Sequence, residues 1–207
     1  MTRSEVISKV MVCIDEVTPQ YIGGVTLDGD DLTNPVKFYI DELLNDATDD
    51  VQMIAPTNRL PKNSIYNDLL PAEFRGVKYF TLAIPKDFLR VALIKMDTWE
   101  RSVTFSVSVD SEAYRMVRNP HTTAGASKPV VAFINQTLEL YGGGSALENK
   151  DYIYRWYFAY NTGNPIDELV LDAICWRCAV KALSVMGSEL VKQATENYNF
   201  ALQKLGI

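Results

Sequence analysis

At 207 residues, 47% of them hydrophobic, the chain can bury a core of its own as one domain or as one domain with a large insertion. Its 20 Lys and Arg stand against 26 Asp and Glu, a formal charge of −6. That leaves no surplus of cations to displace counterions from a phosphate backbone, which excludes tight nucleic-acid binding but not DNA passing through an acidic conduit.

Residues 1–9 lack the basic and then apolar layout of a signal peptide, and no apolar run nears the roughly 20 residues that span a bilayer. The expectation is a soluble, unprocessed chain with no membrane partner. Thr2 and Glu5 have capping-box spacing, and Val6, Ile7, Val10, Met11, Ile14 and Val17 recur at helical intervals, so a first helix ends near Val17, before Pro19. Gly23, Gly24, Gly29 and three aspartates make 21–33 a loop. Asn34-Pro35 then starts a second helix running to about Ile54. Its spacing predicts that Val36, Ile40, Leu43, Ala47, Val51 and Ile54 are buried, with Lys37, Asp41, Glu42, Asp49 and Asp50 toward solvent. Between 60 and 76 the apolar residues Ile65, Tyr66, Leu69, Leu70 and Phe74 predict a short helical turn under a loop.

At Val77 the pattern changes. Residues 77–84, 89–96 and 102–109 are β-branched or aromatic runs between turn-like residues, and read as three consecutive strands. In the third, Val103, Phe105, Val107 and Val109 alternate with Thr104, Ser106 and Ser108, the period of a strand with one buried face. A brief helix is expected at 112–118 and an exposed loop at 119–129. Residues 130–141 and 151–160 flank Gly142-Gly143-Gly144 and read as a hairpin with a mobile tip, its Tyr152, Tyr154, Trp156, Phe158 and Tyr160 sharing one face. Asn164-Pro165 opens a third helix along Leu169, Ala173, Trp176, Val180 and Leu183. Gly187 breaks it, and Ser188 starts a fourth with Val191, Ala194, Tyr198, Ala201 and Leu205 before Gly206. This order predicts an α+β fold, a helical bundle from the N- and C-terminal helices with an antiparallel β-rich insertion. As one composite domain, its parts are 1–76, 77–162 and 163–207.

Reactive residues are sparse. Cys13, Cys175 and Cys178 are odd in number and sit in predicted helices, which fits reduced thiols and synthesis in the cytosol. Cys175-Trp176-Arg177-Cys178 has redox or zinc spacing but falls inside a helix, and only Cys13 and His121 are further nitrogen or sulfur donors. His121 lies in a loop with no nucleophile signature nearby. Asp28, Asp30 and Asp31 begin like a calcium loop, but Thr33 takes the glycine position and Tyr39 that of the bidentate glutamate. Gly142 to Gly144 are followed by no Gly-Lys-Ser or Gly-Lys-Thr, so they are not a phosphate cradle. The carboxylate pairs Asp49-Asp50 and Asp167-Glu168 read as solvated helix surface. No catalytic, metal or cofactor residue is expected, and no cofactor.

Three stretches carry a likeness to a known family: the opening helix pair with Tyr39-Ile40-Asp41-Glu42-Leu43-Leu44-Asn45-Asp46-Ala47, the central Ile84-Pro85-Lys86-Asp87-Phe88 before paired strands, and the closing stretch from Tyr152 into 167–183 and the last helix. Their order resembles the head-to-tail adaptor proteins of tailed bacteriophages, the tail-tubular-A type of connector ring found in short-tailed and crAss-like phages. The resemblance implies a structural virion protein at the head-tail junction, assembled in the host cytoplasm. It implies a ring, typically of twelve copies, docked on the portal protein, joined to a further tail protein, and open to the genome during ejection without sequence-specific DNA binding. Within that reading Asn197, Leu202, Leu205 and Ile207 are the candidate portal side. His121, Gly125, Gly142, Gly143 and Gly144 are the candidate contacts to a tail protein or neighbouring subunit. Two alternatives belong to other classes: a small cytosolic enzyme with a site around His121, the cysteines and scattered carboxylates, or a module holding a sugar or peptide on its aromatic sheet.

Overall fold

A capping box opens the first helix, α1 (Arg3–Val17): the Thr2 amide donates to Glu5 Oε2 at 2.7 Å and the Glu5 amide to Thr2 Oγ1 at 3.3 Å. The computed structural model describes residues 1–17, 35–65, 68–158 and 166–207, so the loop at 21–33 and both Asn-Pro starts, apart from Pro35, lie outside the described residues. The fold is α+β, with five α-helices and two sheets among the described residues, the N- and C-terminal helices flanking a β-rich middle. It divides into two compact units, Met1–Pro61 with Trp156–Ile207, and Lys62–Arg155.

The helical unit packs α1, α2 (Pro35–Ile54) and a C-terminal helix (Val191–Leu205) against a central helix (Glu168–Val185). That central helix buries residues on every side, including Val170, Ile174, Cys175, Cys178, Ala182 and Leu183, so a single apolar stripe understates it. Asp167 caps it, its side chain accepting from the Leu169 amide at 2.9 Å while also taking Arg59 at 3.0 Å. The last helix buries Ala194, Tyr198, Ala201 and Leu205 as its spacing predicts, and ends on Gly206 at φ 86°.

The expected face of α2 is turned. Leu44, Thr48 and Gln52 are fully buried beside Ile40, Ala47 and Val51, whereas Ile54 is 46% exposed. Polarity misplaced the stripe, because both polar side chains are satisfied inside. Thr48 Oγ1 donates to the Leu44 carbonyl at 2.7 Å, and Gln52 clamps the backbone of Trp156 with bonds of 2.9 and 3.2 Å. Nor does Asp50 face open water: Arg177 and Lys181 of the central helix hold it at 2.7 and 3.0 Å. Asp49 accepts from the Tyr157 hydroxyl at 2.9 Å.

The β unit is two facing sheets. One orders β1 (Lys62–Ser64), β8 (Leu147–Tyr154) and β4 (Phe88–Met96), all antiparallel; the other runs β2 (Leu69–Phe74), β3 (Val77–Ala83), β7 (Thr137–Tyr141), β6 (Val130–Ile134) and β5 (Val107–Ser108). Period-two alternation sends Leu82, Val131, Leu138 and Leu140 inward against Val91, Ile94, Met96 and Tyr152 of the other sheet. Phe88 stacks on both Tyr152 and Phe133, at 5.6 and 5.7 Å between centroids. The outward residues Val77, Ala132 and Tyr141 form a second cluster with Val117 of the short helix α3 (Glu112–Val117), which Ser111 caps.

Four expectations in this unit need correction. Residues 69–74 are a strand, not a helical turn, because Arg75-Gly76, both at positive φ, fold them back onto β3 in register from Leu69↔Leu82 to Phe74↔Val77. The strand expected at 102–109 shrinks to Val107–Ser108, which pairs parallel to β6, plus one bridge from Val103 to Ile94. Its alternation does not follow burial, since Phe105 is 66% exposed. The hairpin closes at Asn135-Gln136 between β6 and β7, so Gly142 to Gly144 are no hairpin tip but the crossing from one sheet to the other. Consequently the aromatic strip breaks: β8 ends at Tyr154, and Trp156 packs edge-on against Phe158 at 4.5 Å within the helical unit.

Candidate functional site

The residues proposed from sequence for a tail or subunit contact fall on two adjoining loops of the β unit. A Cβ on Gly142 would lie 3.1 Å from the Gly125 carbonyl and 3.0 Å from Trp99 Nε1, so these loops touch and leave no room for a side chain. They are clasped by side chains of the loop at 97–99. Trp99 Nε1 donates to the Gly143 carbonyl at 2.9 Å, and the Asp97 carboxylate takes the Ser145 amide and hydroxyl at 2.9 and 2.7 Å. The Ser145 amide and hydroxyl, with other neighbouring amides, hold the Asp97 carboxyl well below its usual range, at about 2. Gly142 is buried and Gly144 half-buried, while Gly125, Gly143 and His121 are exposed, and the His121 amide donates to Asn119 Oδ1 at 3.0 Å.

The residues expected to face a portal differ in their exposure. Leu205 is core at 4% exposure, Asn197 and Leu202 are half-buried, and Ile207 is 49% exposed. The outward face of that helix instead carries Phe200, 58% exposed, with Lys204 Nζ 4.6 Å from its ring centre.

The three cysteines are buried in the helical unit, and burial pushes each thiol up to about 12. Cys178 Sγ donates to the Ile40 carbonyl at 3.6 Å. They are protonated packing groups at neutral pH. Among the described residues no group of His, Cys, Asp and Glu is arranged to hold a metal ion, and no helix is long and apolar enough to cross a membrane.

The densest polar cluster lies elsewhere, on the outward face of the five-stranded sheet under α3. Glu139, 7% exposed on β7, accepts from Tyr141 Oη at 2.6 Å, Tyr114 Oη at 3.2 Å and an Arg118 terminal nitrogen at 2.9 and 3.3 Å. The guanidinium of Arg118 also lies 4.4 Å from the ring centre of Phe74 and 5.1 Å from that of Tyr114. Burial alone would lower the Arg118 guanidinium, and the Glu139 charge together with Tyr141, Tyr114 and Tyr79 reverses it, so the net shift is upward. Burial, then the bond to Glu139, raises Tyr141; burial and the same carboxylate raise Tyr114. The Glu139 carboxylate is thus fully engaged in tying α3 to the sheet.

Beside this lock opens a groove of about 500 Å³, lined by Phe74, Arg75, Val109, Tyr114, Arg115 and Arg118, with Asn119 and Pro120. Sequence reading missed it, since a presumed helical turn at 60–76 hid Phe74 and Arg75. The signal was an X-Gly pair between two apolar runs, the mark of a two-residue hairpin.

Fold and site define an α+β protein of two units whose most concentrated polar features are a buried charge lock and an arginine-lined surface groove. No protein-family model matches the chain, and no curated protein matches it.

Proposed function

We propose that this protein is a structural, non-enzymatic subunit of a bacteriophage head-to-tail connector ring, which docks on the portal, joins it to a tail protein and continues the DNA channel. The observation that carries the reading is the insertion of a self-contained β unit, Lys62–Arg155, between the helices of Met1–Pro61 and Trp156–Ile207. This is the order on which the likeness to the adaptors rests. Surface chemistry supports it: large apolar side chains stand outward on several helices, among them Val12 at 55%, Phe38 at 58%, Val185 at 56% and Phe200 at 58% exposure. Contacts between copies or with a portal would cover such residues. The net charge of −6 suits a ring through which DNA slides.

Electron microscopy of the purified chain mixed with portal protein tests the reading. The expected image is a ring stacked coaxially on the portal; portal particles without added density, at saturating chain, would overturn it.

A further inference from the structure

The formal charge of the chain is divided unevenly. Residues 62–155 hold twelve Lys and Arg against ten Asp and Glu, a net of +2, while the remainder holds eight against sixteen, a net of −8. The cations of the β unit include a concentration of three arginines in one groove, with no carboxylate in its lining.

Two of those arginines are unspent. Arg118 serves Glu139, but neither Arg75 nor Arg115 is in an ion pair among the described residues; the Arg115 guanidinium donates to the Asp110 carbonyl at 3.1 Å, and Arg75 sits 5.2 Å from the Phe74 ring centre. Arg75 also occupies a costly place. At φ 52° it takes a turn position that favours Asn or Gly. Around the arginines stand Phe74 and Val109, 40% and 39% exposed, and on α3 Met116 is 50% exposed. Arginine beside exposed aromatic and apolar side chains is the composition of a protein-binding hot spot.

We propose that this groove binds the acidic helical unit of a second copy of the chain, through the outward ridge Val12, Asp15 and Glu16 of α1. The ridge supplies what the groove lacks. Asp15 and Glu16 are exposed and in no ion pair among the described residues, and Val12, three and four positions before them, adds an exposed methyl surface to the same face. Guanidinium groups pair bidentately with carboxylates, and two such pairs set the register of the contact. Groove and ridge are different surfaces of one chain, so the contact is heterologous and propagates head to tail, closing as a ring when the rotation per copy allows. The ring geometry rests on the connector reading; the contact rests on charge and exposure.

Light scattering and mass photometry of the full chain across a dilution series test this. Arg75→Glu with Arg115→Glu should raise the dissociation constant of the multimer at least tenfold and leave the melting temperature unchanged, as both side chains are exposed. Asp15→Arg with Glu16→Arg should do the same. Combining all four substitutions in one chain should restore assembly. Arg101→Glu with Lys128→Glu, the same charge change elsewhere in the β unit, should leave it intact. A wild-type multimer that the groove variant forms equally well overturns the contact and spares the connector reading. So does a loss that the four-fold variant fails to repair, or that the control pair reproduces. A wild-type chain that is monomeric at every concentration, alone and with portal, overturns both.

Discussion

The two units bury their polar groups in different ways. In the helical unit the interior is apolar side chains, protonated thiols and the neutral, hydrogen-bonded Thr48 and Gln52, and its ion pairs, such as Asp50 with Arg177 and Lys181, lie at the rim. The β unit instead encloses a charge, Glu139 at 7% exposure, and matches it with one arginine and two tyrosines. The first solution gives stability that tolerates small change; the second makes the position of α3 depend on every member of the cluster being present. It also fixes Arg118 at the edge of the groove, so the lock and the surface proposed for assembly share a residue.

The comparison predicts a graded set of responses. Arg118→Ala should have the largest effect, about 3 to 4 kcal/mol in chemical denaturation, since it strands a buried carboxylate. Arg118→Met with Glu139→Leu should recover most of that loss; an equally unstable double variant would show that the cluster is not held by its charges. Gly144→Ala should follow, at about 2 to 3 kcal/mol, because φ is 123° and a Cβ would lie 2.7 Å from Met96 Cε. Gly125→Ala, with nothing within 4 Å of its Cβ, should cost under about 0.5 kcal/mol. Equal costs at the two glycines would contradict the clasp.

The smallest effect is a pH dependence. Asp97 has its folded value lowered from 3.8 to about 2, so its stabilising bonds to Ser145 are fully present above pH 3.8 and are lost as the pH falls through about 2. The melting temperature of Asp97→Asn should therefore lie below that of the wild type at neutral pH and converge with it between pH 4 and 2. A gap that stays constant over that range would mean that the carboxylate is not the origin.

How far each unit could be read from its sequence follows the same division. Helices announce themselves locally: Thr2 with Glu5, the spacing of Ala194, Tyr198, Ala201 and Leu205, and the stop at Gly206 all act within a few residues. Gln52 escaped because its burial depends on a distant partner, the backbone of Trp156, and Thr48 because its hydroxyl is satisfied by the Leu44 carbonyl one turn back, which lets a polar residue sit on the packed face. In the β unit nearly every decision is of that distant kind. Phe105 alternates correctly yet is exposed, since alternation cannot say whether a neighbouring strand is there to pair. The groove unites Phe74 and Arg75 with Arg115 and Arg118 across a long stretch of chain, and only the fold of β2 onto β3 and the docking of α3 bring them together.

Sedimentation of the full-length chain in rising salt addresses the assembly claim most directly. The expected result is a single closed multimer at low ionic strength that dissociates as screening weakens the arginine-carboxylate contacts, with the charge-swapped chain behaving alike and the groove variant sedimenting as a monomer throughout. A wild-type multimer indifferent to salt and to Arg75→Glu with Arg115→Glu would contradict it.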